Sequence, residues 1–434
     1  MKKYNAYKPS GVEWIGDVPQ GWIIGKMKFY TNIIMGQSPD GKDITDDGET
    51  PFMQGNAEFT EKYPNPIYYC ESCNKHSRIG DVLMSVRAPV GELNLSDKIY
   101  GIGRGLCSIK ALQNKLLTPF LWYYLMKSKN DFNSFANGST FTAITIDDLK
   151  NFPLILPPLS EQTAIAAFLD AKCAKIDNVM SVQQKRIDLL KELKQSIITN
   201  AVTKGLDKNV EFKPSGIEWI GDIPEKWTLM KLKHICKDEK YSIKTGPFGS
   251  QLKGEDLREE GDVRVYNQRN VIDDCFDDVQ FFVTSAKAKD LQSFFTKEND
   301  LLVTSRGTIG KCSILPKTAP MGVLHPCLIA LRINEKKCSL RWAKFFINES
   351  DCFKTNVFLN SNATTIEVIY TDTLKGIFIP LPPIKEQLEI ISYLERKCSA
   401  IDNQISKIER QIELLKEYKR SIITECVTGK RKVC

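Results

Sequence analysis

Apolar side chains recur with heptad spacing along two stretches of the chain. In each stretch the spacing alternates between four and three residues over almost 30 residues, which is typical of a helix that pairs with another helix in a coiled coil. The alternative is a pair of separate amphipathic helices, each on its own domain. The spacing also includes a tolerated Gln183 and a lysine at the same place in both stretches. The positions are Leu169, Cys173, Ile176, Met180, Gln183, Ile187, Leu190, Lys194 and Ile197 in the first stretch, and Leu394, Cys398, Ile401, Ile405, Ile408, Ile412, Leu415, Lys419 and Ile422 in the second.

The start and orientation of these helices follow from their flanks. Pro157 and Pro158 end the preceding segment, and Ser160 provides a polar helix start. The second helix begins near Lys385 in the same way. Each helix of about 40 residues would be roughly 60 Å long. We expect antiparallel pairing, because a parallel pair would crowd the preceding segments together at one end.

The chain is an internal duplication. Residues 8–22 (KPSGVEWIGDVPQGW) return as residues 213–227 (KPSGIEWIGDIPEKW), with 11 of 15 positions identical. The first heptad stretch with its flanks, 157–203, returns as 382–428, with 24 of 47 positions identical. These two stretches are repeated in both halves of the chain, while the segments between them differ. This arrangement predicts pseudo-two-fold symmetry and two different readers for a target with two different halves.

The segments between the repeats predict mixed α/β domains. Short β-rich runs at 81–87, 300–306 and 376–382 alternate with helical stretches at 118–128 and 340–350. The fold class is therefore α+β, with two mixed domains separated by two long helices that form an intramolecular antiparallel coiled coil. The predicted segments are a repeated segment 1–22, domain 23–156, helix 157–205, repeated segment 206–227, domain 228–381 and helix 382–434.

Composition limits the classes of protein. The 434 residues are 42% hydrophobic and 26% charged, which suits two or three globular cores. No apolar run is long enough to span a membrane, and the start MKKYNAYKPSG lacks the apolar stretch of a signal peptide, so we expect a cytoplasmic protein with reduced thiols among its 13 cysteines. The net charge of +7 permits a polyanionic partner.

Catalytic and metal motifs are weak. The run NPIYY at 65–69 lacks the second Pro of a methyltransferase motif, and GIGRG at 101–105 is a bare glycine pattern. No phosphate-binding loop of the G-x-x-x-x-G-K-[ST] type is present. The pair Cys70 and Cys73 with His76 resembles half a zinc site, but no second cysteine pair stands at suitable spacing. We expect no catalytic residue, no metal site and no cofactor in this chain.

Together these features resemble the DNA specificity subunit of a type I restriction-modification system. The resemblance rests on the LPPLxEQ-type helix starts at 156–162 and 381–387, the repeated heptad helices, the loops SVRAPVGE and TSRGTIGK, and the polar loops GSTFTAI and NATTIEV. It implies that each of two target-recognition domains reads one half of a split, asymmetric sequence of double-stranded DNA. It also implies that the helices dock two modification subunits.

The same resemblance places the chemistry on partner chains. S-adenosylmethionine-dependent adenine methylation would belong to the modification subunits. ATP- and Mg-dependent translocation and cleavage would belong to restriction subunits in the full complex. Two other classes stay open: a coiled-coil adaptor that does not read DNA, and a DNA-binding enzyme with an unrecognised active site, such as a fused methyltransferase.

Candidate DNA-binding residues are those that suit base edges and phosphates: Arg and Lys for guanine or phosphate, Asn and Gln for adenine, and small hydroxyl residues. Arg87 and Arg306 occupy matching positions, so phosphate contact or loop bracing suits them as well as base reading. The densest group is NQRNV at 267–271. The candidates are Lys42, Arg87, Arg104, Ser139, Thr140 and Thr142 in the first domain, and Lys253, Gln268, Arg269, Asn270, Arg306, Thr364 and Thr365 in the second.

Overall fold

The computed structural model describes residues 3–135, 143–360 and 368–433, and these fall into two units. Unit 1 consists of residues 1–184 together with 409–434, and unit 2 is the continuous stretch 185–408. The division passes through both long helices, so each unit contains part of each helix. No helix in the described ranges is long and apolar enough to cross a membrane.

Unit 1 is built from short strands and two helices that precede the first long helix. Its helices are α1 (Thr118–Phe135) and α2 (Ile146–Asn151). Its strands are β1 (Tyr7–Pro9), β2 (Asp17–Pro19), β3 (Ile23–Lys26), β4 (Thr31–Met35), β5 (Pro51–Met53), β6 (Tyr68–Tyr69), β7 (Val82–Ser85), β8 (Leu93–Leu95), β9 (Gly101–Ile102), β10 (Leu106–Ala111) and β11 (Pro153–Leu156).

Two sheets form the centre of unit 1. One is antiparallel in the order β4-β10-β7-β8, and the other has the order β6-β5-β9 with β5 and β9 parallel. Alternate residues of β7 face opposite sides of the sheet, as the period of a strand requires. Val82 and Met84 join the main core with α1, whereas Leu83 joins a second cluster with Met53 and Tyr100. Both faces of the four-stranded sheet are therefore covered.

Unit 2 repeats this plan with extra elements. It shares the first long helix, α3 (Leu159–Lys204), with unit 1. Its other helices are α4 (Leu232–Ile235), α5 (Gln268–Ile272), α6 (Ser285–Asp290), α7 (Leu340–Glu349), α8 (Asp351–Asn360) and α9 (Thr371–Gly376). Its strands are β12 (Phe212–Pro214), β13 (Asp222–Pro224), β14 (Thr228–Lys231), β15 (Ile243–Thr245), β16 (Val263–Tyr266), β17 (Phe281–Val283), β18 (Leu301–Thr304), β19 (Cys312–Ile314), β20 (Val323–Leu324), β21 (Leu328–Leu331) and β22 (Phe378–Leu381).

The sheets of unit 2 have the same connectivity as those of unit 1. The order β15-β21-β18-β19 corresponds to β4-β10-β7-β8, and β17-β16-β20 corresponds to β6-β5-β9 with the same parallel pair. Leu301 and Val303 point into the main core, while Leu302 points into a second cluster with Tyr266. The prediction of two mixed domains of one fold is confirmed.

The second long helix, α10, spans Ile384–Val427, so both helices begin within one residue of their predicted starts. In unit 1, Ile422 and Cys426 from the end of α10 share a core with Ile165 and Leu169 from the start of α3. In unit 2, Ile198 near the end of α3 shares a core with the start of α10. The start of each helix therefore packs beside the end of the other, and the predicted antiparallel pairing is confirmed.

The predicted seam positions are buried or half-buried along both helices. They are Leu169, Ile176, Met180, Ile187, Leu190 and Ile197 on α3, and Leu394, Ile401, Ile405, Ile408, Ile412, Leu415 and Ile422 on α10. The two seam lysines make ion pairs: Lys419 Nζ lies 2.6 Å from Asp177 in unit 1, and Lys194 Nζ lies 2.9 Å from Asp402 in unit 2. Lys419 and Asp402 stand 225 residues after Lys194 and Asp177, so the duplication reproduces the pair.

The repeated segments contact each other within each unit. The indole N–H of Trp22 donates to Glu161 at 3.1 Å, and that of Trp227 donates to Glu386 at 3.0 Å. The buried amide of Gln162 accepts from the backbone N–H of Leu117 at 2.8 Å, and Gln387 accepts from Ser339 at 2.8 Å. The Glu-Gln pair at each helix start therefore ties the helix to its domain.

Candidate nucleic-acid interface

Four loops of unit 1 converge where strands of its two sheets end. They are residues 36–38, 54–56, 86–91 and 103–105, which we call the first loop cluster. Backbone hydrogen bonds join them: Gly103 N–H donates to Met53 C=O at 2.8 Å, Gly105 N–H to Gln54 C=O at 3.1 Å, and Val86 N–H to Gly105 C=O at 2.9 Å. The cluster is thus fixed by contacts between backbone groups.

Unit 2 holds an equivalent second loop cluster, residues 246–248, 267–270, 305–310 and 325–327. His325 N–H donates to Tyr266 C=O at 2.9 Å, and Ser305 N–H donates to Cys327 C=O at 2.8 Å. These bonds correspond to those of Gly103 and Val86 in unit 1. The two clusters share one backbone frame and carry different side chains.

A glycine allows the closest approach in each cluster. A Cβ atom at Gly36 would lie 2.1 Å from the carbonyl oxygen of Gly103, and one at Gly246 would lie 2.2 Å from that of His325. Neither site leaves room for a side chain, because both contacts are with backbone. These glycines hold the loop after the first strand against the loop that precedes the last strand of each sheet.

The first loop cluster exposes two arginines. Arg87 and Arg104 are both exposed, and Arg87 forms an isolated β-bridge with Ala143. Gln54, which sequence reasoning missed, donates from Nε2 to Ser38 Oγ at 2.6 Å beside them. Exposed guanidinium groups on a fixed backbone suit contacts with phosphate or a guanine edge.

The candidates of the second loop cluster divide into exposed and internal residues. Arg269 is 64% exposed and pairs with Asp273 at 3.4 Å and Asp278 at 3.5 Å. Arg306 is exposed and forms an isolated β-bridge with Val368. The hydrogen bonds around Gln268 orient its amide so that Nε2 donates to Arg306 C=O at 2.7 Å. Gln268 therefore braces the loop that carries Arg306.

Asn270 lies inside the fold. Its side chain is 2% exposed, and its amide donates to the carbonyls of Cys275 at 3.0 Å and Asp278 at 2.8 Å. It also accepts from the N–H of Asn267, which itself caps α5. A second amide three residues after an N-cap Asn is a capping-box pattern, and that spacing in NQRN could have revealed the internal role.

Two candidate lysines lie on equivalent 3₁₀ turns. Lys42 is within the turn Gly41–Asp43, and Lys253 is the N-cap of the turn Gly254–Asp256. Both are exposed, and Lys253 lies 3.3 Å from Glu255. Each turn thus presents one ammonium group to solvent at a different position. The remaining candidates, Ser139, Thr140, Thr142, Thr364 and Thr365, lie outside the described residues.

The residues around the Cys70 and Cys73 pair, which resembles half a zinc site in the sequence, make contacts of other kinds. Cys70 and Cys73 are buried in a small cluster with Phe52. The carboxylate of Glu71 accepts from the backbone N–H groups of Glu49 and Thr50, which lowers the pKa of Glu71. Across the described ranges, no group of three or more His, Cys, Asp or Glu side chains is arranged to hold a metal ion.

Comparison with known proteins identifies the family of this chain. The model of the type I restriction modification DNA specificity domain matches residues 19–201 and again 224–414. This chain belongs to that specificity family. The predicted family assignment is confirmed, and the two matches correspond to the two halves of the duplication.

Relatives of the specificity family match over nearly the whole chain. The MjaVIII specificity subunit of Methanocaldococcus jannaschii is 25% identical over 428 residues, covering 96% of this chain and 94% of the relative. The EcoKI specificity subunit of Escherichia coli is 22% identical over 440 residues, covering 95% and 90%. Both are type I restriction enzyme subunits by name.

Solved structures of the specificity family show the same fold. A chain from a structural study of type I R-M complex assembly and conformational transition aligns with a TM-score of 0.73 at 17% identity, covering 94% of this chain and 98% of its own length. The HsdS subunit of Thermoanaerobacter tengcongensis aligns with a TM-score of 0.50 at 19% identity, covering 95% and 98%. This chain therefore shares its fold with these structures.

Proposed function

We propose that this chain selects the DNA site of a type I restriction-modification complex and carries no catalytic group of its own. Each loop cluster reads one half of a bipartite, asymmetric sequence of double-stranded DNA. The observation that carries this proposal is the pair of equivalent backbone frames with different side chains. A shared frame supplies one docking geometry, and the side chains that differ supply two specificities.

The exposed cations of each unit are suited to different contacts with DNA. Arg269 has the donors that suit a guanine edge, and Arg104 offers the same group from a different loop of unit 1. Arg87 and Arg306 match between the units, which supports a common task such as phosphate contact. Lys42 and Lys253 lie on exposed turns and suit phosphate contact, so their removal should weaken all sequences alike and reduce the salt dependence of binding.

We propose recognition-domain boundaries at residues 23–156 and 228–381, and exchange of a domain tests them. Replacing residues 23–156 by the equivalent domain of a related specificity subunit should change one half of the methylated motif and preserve the other. The measurement is a methylome of cells that carry the exchanged chain with its modification subunits. A change in both halves of the motif would contradict the proposal that each domain reads its half independently. A wild-type complex that methylates no specific motif would overturn the proposed function.

The long helices supply a surface for partners. Leu189 and Leu193 are 64% and 50% exposed on the α3 part of unit 2, and Leu414 and Tyr418 are each 47% exposed on the α10 part of unit 1. The second pair stands 225 residues after the first, so the duplication repeats an exposed apolar pair. A repeated apolar pair is what two copies of one partner require. We propose that each pair docks one modification subunit, while S-adenosylmethionine, ATP and Mg bind partner chains.

Docking can be tested one surface at a time. Replacing Leu189 and Leu193 by Asp should reduce the assembly from two modification subunits to one, because a charge in an apolar contact is costly. Native mass spectrometry of the complex measures this. The matched variant replaces Leu414 and Tyr418 and should have the same effect, while a complex that keeps both subunits in either variant would contradict the proposed surface.

A further inference from the structure

The second loop cluster contains an imidazole that the sequence motifs did not single out. His325 and Cys327 lie on the loop that corresponds to Gly103 and Gly105 of unit 1: His325 N–H donates to Tyr266 C=O as Gly103 N–H does to Met53 C=O, and Cys327 C=O accepts from Ser305 as Gly105 C=O does from Val86. Unit 1 therefore has no side chain where unit 2 has the ring of His325. Side chains that differ at equivalent positions of the two units are expected to give the units different specificities.

The ring of His325 is held in one orientation. It stacks on Phe281 with a centroid distance of 6.5 Å and an interplanar angle of 21°. Its Nδ1 accepts the backbone N–H of Cys327 at 3.3 Å and lies 2.9 Å from the Sγ of the same residue. A ring held on one face and at one nitrogen loses little further freedom when it binds a ligand.

These contacts also set the position of the proton. A nitrogen that accepts a hydrogen bond is unprotonated, so the neutral ring carries its proton on Nε2. Burial lowers the pKa of His325 and favours this neutral form. Among the described residues, no hydrogen-bond acceptor contacts Nε2. The Nε2–H group therefore has no hydrogen-bond acceptor among the described residues and can donate to a ligand.

His325 lines an open cavity of the second loop cluster. The cavity has a volume of 410 Å³ and is lined by Gln268, Arg269, Ile272, Phe281 and His325, among others. Arg269 is exposed at its edge, and His325 itself is half-buried. The cavity therefore combines an apolar wall, an exposed guanidinium group that pairs with the Asp273 carboxylate at 3.4 Å, and a neutral N–H donor, which is a combination that suits the edge of a base.

We propose that His325 is a specificity-determining residue of unit 2, which donates a hydrogen bond from Nε2 to an acceptor on a base edge in the major groove. The proposal rests on the proposed reading of DNA by unit 2. Guanine, adenine and thymine each present an acceptor in that groove, whereas the N4 amino group of cytosine is a donor. Cytosine at the contacted position would place two donors against each other. The signature of His325 is therefore rejection of cytosine at one position of one half-site.

Two variants separate base reading from a structural role. His325→Phe keeps an aromatic ring that can stack on Phe281 and removes the N–H donor. His325→Gln replaces the ring by an amide, which offers both a donor and an acceptor and so can pair with cytosine as well. Because the second variant retains a polar side chain, it tests the proposal even if the first fails to fold. Arg104→Ala, in unit 1, is the matched control for the other half-site.

The experiment uses the full chain assembled with its modification subunits and a duplex library in which both half-sites are randomised. Sequencing of the bound duplexes should show discrimination against cytosine falling about tenfold at a single position in both His325 variants, with the other half-site unchanged. Arg104→Ala should affect only the opposite half-site. Unchanged selection in His325→Gln, or an equal loss at all positions, would overturn the proposal. A wild-type complex that selects no bipartite sequence would instead overturn the proposed function.

Discussion

At the scale of single residues, position inside or outside a cap decides which side chains can read DNA. Asn270 and Arg269 are neighbours in the chain, but Asn270 is buried in the cap of α5 and Arg269 points to solvent. The types of residue are equally suited to base contacts, so the sequence run NQRNV suggested both. The hydrogen bonds of the fold use one of them and leave the other exposed.

This contrast predicts opposite effects of two alanine substitutions. Asn270→Ala should lower the free energy of unfolding of unit 2 by about 2 to 3 kcal/mol, because it leaves buried backbone groups without partners. Arg269→Ala should change it by less than about 0.5 kcal/mol, since exposed ion pairs contribute little. Denaturant unfolding measures both effects. Equal destabilisation by the two changes would contradict the assigned roles.

At the scale of elements, one seam position is polar on the first long helix and apolar on the second. The Oε1 atom of Gln183 on α3 is buried with no hydrogen-bond partner among the described residues. The equivalent position on α10 is Ile408, which is 5% exposed. An apolar side chain is therefore compatible with this position in the repeat, and Gln183 carries a desolvation cost that Ile408 does not.

Gln183→Leu should stabilise unit 1 by about 1 to 2 kcal/mol, because it removes the buried unpaired oxygen. Thermal unfolding of the full chain would show this as a higher Tm of the transition that belongs to unit 1. The matched control is Lys175→Leu, which adds a leucine to an exposed position of the same helix and should leave that Tm unchanged. A lower Tm in Gln183→Leu would show that the amide is required.

Elements with a strong local pattern could be predicted from the sequence. Both heptad helices, the strands β7, β18 and β22, and the helices α1 and α7 lie where periodicity and proline breaks placed them. The parallel pairing of β5 with β9, and of β16 with β20, could not be predicted, because strands of two to four residues carry almost no periodic signal. The approach of His325 to the 267–270 loop depends on that pairing. The sequence therefore predicted only part of the candidate site.

At the scale of the whole molecule, the two units differ in how the chain supplies them. Unit 2 is the uninterrupted stretch 185–408, whereas unit 1 needs residues 409–434 to complete a core that began with residues 1–184. Ile422, Ile423, Cys426 and Val427 are all buried in that core. Removal of residues 409–434 should therefore expose amides of unit 1 to hydrogen exchange and leave unit 2 protected, and the reverse pattern would contradict the division.

The antiparallel helices also set an order of events during synthesis. Unit 1 is made of residues 1–184 and 409–434. A ribosome that adds about 10 residues per second needs roughly 20 seconds to pass from residue 184 to residue 409. In that interval unit 2 is synthesised, while the core of unit 1 still lacks its last segment. The unit that is translated first is therefore the one whose core is completed last.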